Sequence, residues 1–404
     1  MIAAIIAECN PPHTGHAHLI SEVRRHFGAD TCVLLLMSGN YVQRGDLAIM
    51  DRYKRAAGAL TIGADLVLEL PFPYSCETAQ IYAGAAISIL RRLNHIDVLC
   101  FGSECGSIDT LREITAYLSS PQFQSDVLAL RAVSPHKSYV QLRTDAIGKG
   151  ISHDAAAQST LPNNILAIEY LLALKSMDSS METFTIPRIG SYHGDDCHTS
   201  GYMSAGAIRK EIINGRLDKI GKYISADFVR CLINDRSNRL MPADLNRLSP
   251  VFLTQLRRDA ARLDFSAYFD IDAALAAKMK AALNRVTDIP SFTALLKAKH
   301  LTDAHLRRAL LNAYFGVTSS DVHTAPAFTR LLASNTRGKK SLKYLKQHSS
   351  LPILSCPSDV RHLTDEDVRH AVEFADFADS VYFLSIPAPQ SLADLYRLRP
   401  IVTE

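Results

Sequence analysis

The first hundred residues alternate between short apolar runs and longer amphipathic stretches, and this alternation constrains the fold more than any other feature of the sequence. The apolar runs are typical of parallel strands covered on both faces, and they span Ile2–Ala7, Thr31–Met37, Asp65–Leu70 and Asp97–Phe101. Helical spacing of apolar residues separates the runs, over Gly15–Phe27, Asp51–Ile62 and Ser75–Leu93. This order predicts right-handed crossovers and an α/β fold with a doubly wound parallel sheet.

Each predicted strand ends in small, polar or turn-forming residues. The first is followed by Glu8, the second by Ser38, the third by Pro71 and the fourth by Gly102. In doubly wound sheets ligands bind in the crevice beyond the carboxyl ends of the strands. The four turns are therefore expected to face one ligand site.

The rest of the chain is predicted to be mainly helical. One further strand candidate, Thr183–Ile189, precedes a polar loop, Gly190–Met203, and a helix that begins near Ser204. We place the end of the first domain near Ile220. The sequence thus predicts a sheet-containing domain over residues 1–220 with helical insertions, followed by a mainly α-helical region over residues 221–404.

Composition narrows the class of protein. Hydrophobic residues make up 47% and charged residues 21% of the 404, which is typical of a globular chain rather than a disordered one. The net charge is only +3, so any RNA contact is expected from a local basic patch. The eight cysteines are scattered without a CxxC pair, so we expect reduced thiols and no zinc site. The uncharged stretch Thr78–Leu90 is shorter than the roughly 20 residues of a membrane span, and the N-terminus lacks a basic signal-peptide region, so we expect a cytoplasmic protein.

The segment Asn10–His16, with the sequence NPPHTGH, lies between the first predicted strand and the first helix. His13 and His16 are three residues apart around a helix start, so both rings point at the same small volume. Gly15 lets a phosphate approach the backbone, and the helix N-terminus offers N–H groups and the positive end of its dipole. Imidazoles placed there can stabilise charge that develops during nucleotidyl transfer. The alternative is that the two histidines merely cap the helix.

A second motif lies near the end of the first predicted domain. In Ser204–Lys210, Ser204 is a good helix N-cap, and Arg209 could neutralise a leaving pyrophosphate. Alone this pattern is a weak signal, and its weight comes from the histidine motif upstream.

Together these motifs resemble a known family. HxGH after the first strand is similar to the signature of the nucleotidylyltransferases of the HUP superfamily, which have a Rossmann-like fold. Further segments resemble the tRNA(Met) cytidine acetate ligase family, in the correct order and separation, namely Met37–Gly45, Gly63–Pro71, Cys100–Glu104, Pro162–Leu166 and Ile186–Gly190. Cys9, Pro12 and Thr14 depart from the residues that this family usually has.

The resemblance implies a two-step reaction. Such enzymes activate acetate with ATP to acetyl-adenylate, and they then transfer the acetyl group to the wobble cytidine of elongator tRNA(Met). It implies that His13, His16 and Arg209 are catalytic and that Mg²⁺ accompanies the nucleotide, with no metal site of the protein's own. The ATP-binding residues that it implies are Ala7, Glu8, Cys9, Asn10, Pro11, Gly15, His16, Ile20, Gly102, Ser103, Asn163, Arg188 and Ser204.

Several of these residues also have simpler interpretations. Gly102 and Ser103 would equally suit a tight turn, Asn163 an N-cap, and Arg188 a surface position. No residue stands out as a general base for the cytidine amine.

A basic run from Arg330 to Lys346 predicts an amphipathic helix with a charged face. If the substrate is tRNA, the residues expected to bind its phosphates are Arg337, Lys339, Lys340 and Lys343. The alternative is an ordinary solvated helix.

Two other functions fit part of the pattern. A small-molecule cofactor nucleotidylyltransferase would need only the first predicted domain, so the long second region argues against it. A catalytically silent tRNA-binding protein would not need to keep His13, His16, Ser204 and Arg209. The sequence does not indicate an oligomeric state or a membrane partner.

Overall fold

A computed structural model describes residues 1–188, 202–298 and 301–404, so most of the predicted polar loop Gly190–Met203 lies outside the described residues. The described strands are β1 (Ile2–Ala7), β2 (Cys32–Ser38), β3 (Tyr41–Val42), β4 (Asp46–Leu47), β5 (Leu66–Leu70), β6 (Val98–Ser103), β7 (Glu182–Pro187), β8 (Thr329–Ser334), β9 (Ile353–Leu354) and β10 (Ile401–Val402). The described α-helices of the first half are α1 (Thr14–Phe27), α2 (Arg52–Thr61), α3 (Ala79–Arg92), α4 (Ile108–Leu118), α5 (Pro121–Val133), α6 (Tyr139–Gly150), α7 (His153–Gln158), α8 (Pro162–Ser176) and α9 (Ala205–Ile213). Those of the second half are α10 (Ala226–Ser237), α11 (Ser249–Ala260), α12 (Ala273–Leu283), α13 (Ile289–Leu296), α14 (Asp303–Phe315), α15 (Ser319–His323), α16 (Thr336–His348), α17 (Glu366–Tyr382) and α18 (Leu392–Leu395).

One large sheet organises the molecule. Among the described residues its strand order is β10-β8-β5-β2-β1-β6-β7, with β9 paired to β8, while β3 and β4 form a separate hairpin. The five neighbouring strands β5, β2, β1, β6 and β7 are parallel to one another. At their carboxyl ends Ala7 lies opposite Met37, and Ser38 lies opposite Leu70. The chain builds outward from β1 through β2 and β5, then returns to place β6 on its other side. The strand order therefore reverses between β1 and β6, where such sheets bind ligands.

Helices cover both faces of this sheet. Ala3 and Ile5 of β1 point into a core shared with α1 and α2, whereas Ala4 and Ile6 point into the core shared with α3 and α8. Strands buried on both faces explain the continuous apolar runs of the sequence. The predicted α/β, doubly wound, Rossmann-like architecture is confirmed.

Residues beyond 220 are mainly helical but also extend the sheet, which the sequence did not predict. β8 pairs antiparallel with β5, and β10 then pairs parallel with β8. β8 has six residues, all buried, and begins with polar Thr329 and Arg330, so it carries no alternating pattern. Its pairing partner lies more than two hundred residues earlier, where no local signal reaches. A division at residue 220 stays a prediction, and the sheet crosses it.

Two predicted helical runs differ in detail. Arg330, at the start of the predicted basic helix, is buried in β8 with its Nη2 atom 2.5 Å from Asp376 Oδ1, and α16 begins only at Thr336. The stretch Leu295–Tyr314, within the region predicted to be helical, is divided between α13 and α14, because α13 ends at Leu296 and Thr302 caps a new helix.

The cysteines form no disulfide among the described residues. The described cysteines are free, and four of them are buried, namely Cys9, Cys32, Cys76 and Cys100, while Cys197 lies outside the described residues. In the described ranges no helix combines the length and the apolarity that crossing a membrane requires.

Candidate active site

Two histidines form the N-terminal cap of α1. The Nδ1 atom of His13 accepts a hydrogen bond from Gly15 N at 3.0 Å, and the Nδ1 atom of His16 accepts one from His13 N at 3.3 Å. Their ring centroids are 4.0 Å apart. The predicted alternative, that these histidines cap the helix, is therefore correct for one edge of each ring.

The other edge of each ring carries the Nε2 atom, which is available to a substrate. Because Nδ1 accepts, the proton of the neutral ring is on Nε2, which makes Nε2–H a donor. Burial, followed by the charges of His16 and Arg188, lowers the pKa of His13 well below its usual value. Burial and then Arg188 lower the pKa of His16 to about 4. At neutral pH the pair is a set of uncharged donors next to a helix N-terminus.

Gly15 is required by the packing of this cap. A Cβ atom at position 15 would lie 2.8 Å from His13 Cε1, closer than side chains tolerate. A larger residue would push the His13 ring away from the backbone N–H group that it caps.

Helix α9 brings Arg209 to the same loop. Ser204 caps this helix through its Oγ atom, which accepts from Ala207 N at 3.2 Å, as the sequence predicted. Ile208 of the same helix lies in a buried cluster with Ile49. This packing aims Arg209 at the loop after β1, where its Nη1 atom donates to Asn10 O at 2.7 Å. The two sequence motifs, almost two hundred residues apart, therefore meet.

Gly102 and Arg188 meet at the ends of β6 and β7. A Cβ atom on Gly102 would lie 3.2 Å from Arg188 Cγ, so the arginine crosses bare backbone. The Arg188 side chain is exposed, and its charge reaches both histidines. Ser103, by contrast, turns inward, with its Oγ atom 2.7 Å from Thr185 Oγ1.

Asn163 lies in the first turn of α8, but Leu161 is the N-cap, so the N-cap interpretation of Asn163 is wrong. Leu161 has no capping side chain, and the Glu104 carboxylate takes that role across the crevice. It accepts from Asn163 Nδ2 at 2.5 Å and from Asn164 N at 2.8 Å. Sequence reasoning missed Glu104, because nothing local links it to a helix sixty residues later.

Other predicted ATP-binding residues lie within the loop between β1 and α1 or in the elements next to it. Asn10 is buried and its Oδ1 atom accepts from Ile49 N at 2.9 Å, next to a cis peptide bond to Pro11. Burial raises the pKa of the Cys9 thiol to about 12, so this cysteine is unreactive. Ile20 is a core residue of α1, and Ala7 is the last residue of β1.

The sequence also gave no hint of Arg55, which is fully buried under the site. Its guanidinium donates to carbonyl oxygens of three segments, namely Glu8 O at 2.6 Å, Met50 O at 3.0 Å, and Ser38 O at 3.0 Å together with the neighbouring Gly39 O. Arg55 thus ties together the carboxyl ends of β1 and β2. Charged residues on helices usually face solvent, so the pattern gave no signal for it.

The predicted tRNA-binding residues lie elsewhere. Lys339, Lys340 and Lys343 are exposed on α16, and Arg337 Nη1 is 3.6 Å from Asp65 Oδ1. Asp65 immediately precedes β5, at the amino-terminal edge of the parallel strands. The basic helix is therefore at the opposite edge of the sheet from the histidine pair.

The described residues at the site provide few side-chain ligands for a metal ion. No cluster of three or more histidine, cysteine or acidic side chains within the described ranges could hold one. The Glu104 carboxylate is already engaged by α8. A magnesium ion here would depend on phosphate oxygens and water, which is how Mg²⁺ is commonly bound beside nucleotides.

The chain is similar in sequence to known proteins over nearly its whole length. The model of the HIGH Nucleotidyl Transferase family matches residues 1–394. The tRNA(Met) cytidine acetate ligase of Thermoanaerobacter sp. (strain X514) is 30% identical over 405 residues, covering 99% of each chain. The protein of the same name from Syntrophotalea carbinolica is 32% identical over 87% of this chain and 84% of its own.

A solved structure shares the whole fold. Thermotoga maritima TmcAL bound with alpha-thio ATP superposes with a TM-score of 0.89 at 22% identity, covering 100% of this chain and 99% of that one. With the match of the family model over nearly the entire length, the chain belongs to the HIGH nucleotidyl transferase family, among the relatives named tRNA(Met) cytidine acetate ligase.

Proposed function

We propose that this protein is an ATP-dependent ligase that acetylates the wobble cytidine of elongator tRNA(Met). It forms N4-acetylcytidine and releases AMP and diphosphate. The observation that carries the proposal is the pair of neutral histidine donors at the start of α1, together with Arg188 and Arg209. Relatives that align over nearly the whole chain have this activity in their names.

In the first step an acetate oxygen attacks the α-phosphorus of ATP and pyrophosphate leaves. The Nε2–H groups of His13 and His16 and the N-terminus of α1 stabilise the negative charge that builds on the phosphoryl oxygens. Arg209 and Arg188 hold phosphate charge on either side. No covalent protein intermediate is needed, since the gain comes from holding the two substrates in line.

Binding of ATP uses the crevice between β1 and β6. Gly102 lets the Arg188 side chain cross the backbone at this crevice, and Asn163 is held at the rim by Glu104. Mg²⁺ would accompany the triphosphate and offset its charge during pyrophosphate release.

In the second step the cytidine amine attacks the acetyl carbon and AMP leaves. The wobble base must leave the anticodon stack to reach a site inside a crevice. The exposed lysines of α16 are the proposed phosphate contacts, and because they lie at the far edge of the sheet they would bind a part of the tRNA remote from its anticodon. A substrate used in translation places the enzyme in the cytoplasm.

Acetate-dependent exchange of label between pyrophosphate and ATP tests the first step. The wild type should exchange label only when acetate is present. His16→Asn keeps a cap acceptor but loses the Nε2 donor, so exchange should fall by about 10²–10³. His136→Asn, at an exposed loop position, is the matched control and should behave as wild type.

Two results would contradict the proposal. Exchange that ignores acetate but requires a phosphorylated cofactor precursor would indicate a cofactor nucleotidylyltransferase. No exchange under any condition, with tRNA binding retained, would indicate a silent RNA-binding protein.

A further inference from the structure

We propose that Glu8 is a catalytic residue for acetyl transfer, and that its carboxylate binds the exocyclic amine of the cytidine and accepts the amine's proton. This inference rests on the proposed function and supplies its second step with a base.

Glu8 is placed at the reaction site by the backbone. It follows β1 directly at the carboxyl edge of the sheet, where Arg55 fixes its carbonyl oxygen at 2.6 Å. The next residue, Cys9, has a φ of 44° and turns the chain into the histidine loop. The Glu8 side chain is partly exposed, so a ligand can reach it.

The carboxylate of Glu8 has no fixed partner. Among the described residues neither of its oxygens forms a hydrogen bond or ion pair. Three other carboxylates near this edge do have partners, since Asp51 caps α2, Glu69 pairs with Arg52 and Glu104 holds α8. Glu8 is thus a carboxylate whose acceptor atoms are available to the donors of a substrate.

The surroundings of Glu8 suit a base. Burial raises its pKa, against the opposing charges of Arg209, Arg44 and Arg55. Burial and then the charge of Glu8 raise the pKa of Tyr82. A carboxylate whose pKa is raised takes a proton more readily than an ordinary one.

Arg209 connects Glu8 to the phosphate side of the site. Its Nη1 atom donates to Asn10 O, two residues after Glu8 in the same loop, and its charge acts on both Glu8 and His13. An adenylate whose phosphate is held by His13, His16 and Arg209 would therefore have the acetyl group and the attacking amine within the same cluster as Glu8.

The chemistry of the step balances. The lone pair of the amine nitrogen forms a bond to the acetyl carbon, and the bond from that carbon to the phosphate oxygen breaks. AMP leaves with the bonding electrons, and a proton of the amine passes to the Glu8 carboxylate. Carboxylates accept hydrogen bonds from the cytosine amine in nucleic-acid recognition, so one group can both position the base and deprotonate it.

The family resemblance implies a different role for Glu8, as an ATP contact. The two roles separate when the half-reactions are measured individually. A contact to ATP matters in pyrophosphate exchange, which needs no RNA, whereas a base for the amine matters only in single-turnover transfer from acetyl-adenylate to tRNA(Met).

The test is Glu8→Gln, measured in both half-reactions. We expect the ratio of transfer rate to exchange rate to fall by about 10²–10⁴, the usual contribution of a general base. Glu8→Asp keeps a carboxylate and should recover part of the transfer rate. If Glu8→Gln melts far below the wild type, Glu8→Asp becomes the test variant. Its ratio of transfer rate to exchange rate should still be lower than that of the wild type.

Equal losses in exchange and transfer would overturn the inference and assign Glu8 to ATP binding. Transfer at the wild-type rate would overturn it as well. A separate result would contradict the proposed function itself, namely a wild type that shows no acetate-dependent exchange or no transfer to tRNA(Met).

Discussion

His13 and His16 combine a structural and a chemical role in one ring each. Their Nδ1 atoms complete the backbone hydrogen bonds at the start of α1, and that fixes the Nε2–H donors in direction and tautomer. A serine or aspartate cap would satisfy the same N–H groups without presenting a second donor. The motif is thus a helix cap that also serves as a phosphate-binding element.

The neutral state of His16 predicts how stability depends on pH. Its pKa is about 4 when folded and roughly 6.5 when unfolded, so below pH 6.5 the unfolded chain binds a proton that the folded chain does not. Stability is therefore lost as pH falls through this window. Between pH 7 and pH 5, wild type should lose about 2 kcal/mol more than His16→Asn in urea denaturation. Equal losses would show that His16 is protonated in the folded protein.

At the scale of elements, α8 depends on a cap from outside its own sequence. Glu104 follows β6 and holds the α8 N-terminus against the crevice. Glu104→Ala should reduce the free energy of unfolding by about 0.5–2 kcal/mol, the usual cost of losing a cap. Glu113→Ala, exposed on α4, is the matched control and should change little. Equal stability of the two variants would mean that the clasp contributes nothing.

Helix α16 tests the proposed RNA surface. The double change Lys340→Glu and Lys343→Glu should weaken tRNA binding and flatten its dependence on salt, because two phosphate contacts are lost. Pyrophosphate exchange should be unaffected, since α16 lies at the opposite edge of the sheet. Lys278→Glu, exposed on α12, is the control. Unchanged tRNA affinity in the double variant would place the RNA on another surface.

At the scale of the whole molecule, a buried ion network joins the ends of the chain. Arg52 of α2 contacts Glu69 of β5 at 3.0 Å and also Asp379 of α17, which accepts from Asn40 Nδ2 at 2.8 Å. The network fixes α17 against the turn after β2, near the site. It therefore couples the two halves that the sequence had suggested were separate.

Removing the closer cation of this network should destabilise the whole protein. Arg52→Met leaves Glu69 and Asp379 with only the more distant Arg330, at 4.0 Å and 3.6 Å. The expected loss is about 3–5 kcal/mol in the free energy of unfolding. The comparison is Arg25→Met, which removes an exposed pair with Glu22 and should have little effect. Chemical denaturation measures both, and similar midpoints for the two variants would mean that the network adds nothing to stability.

What could be predicted from the sequence was mostly local. The β1–α1 loop and the Ser204 cap each lie within a few consecutive residues, so periodicity and residue type were sufficient. Glu104 and Arg55 act on segments far away along the chain and gave no signal. The pairing of β8 with β5 joins residues more than two hundred and fifty positions apart, where Thr329 Oγ1 donates to Glu69 O at 2.7 Å.

The most direct test of the proposed ligase is incorporation of labelled acetate into unmodified tRNA(Met) in the presence of ATP and Mg²⁺. The wild type should place the label on the wobble cytidine as N4-acetylcytidine, and His16→Asn should lose most of that activity while remaining folded. A wild type that consumes ATP in the presence of acetate but leaves the cytidine unlabelled would contradict the proposed acceptor. If neither ATP consumption nor label depends on acetate, the ligase assignment itself is wrong.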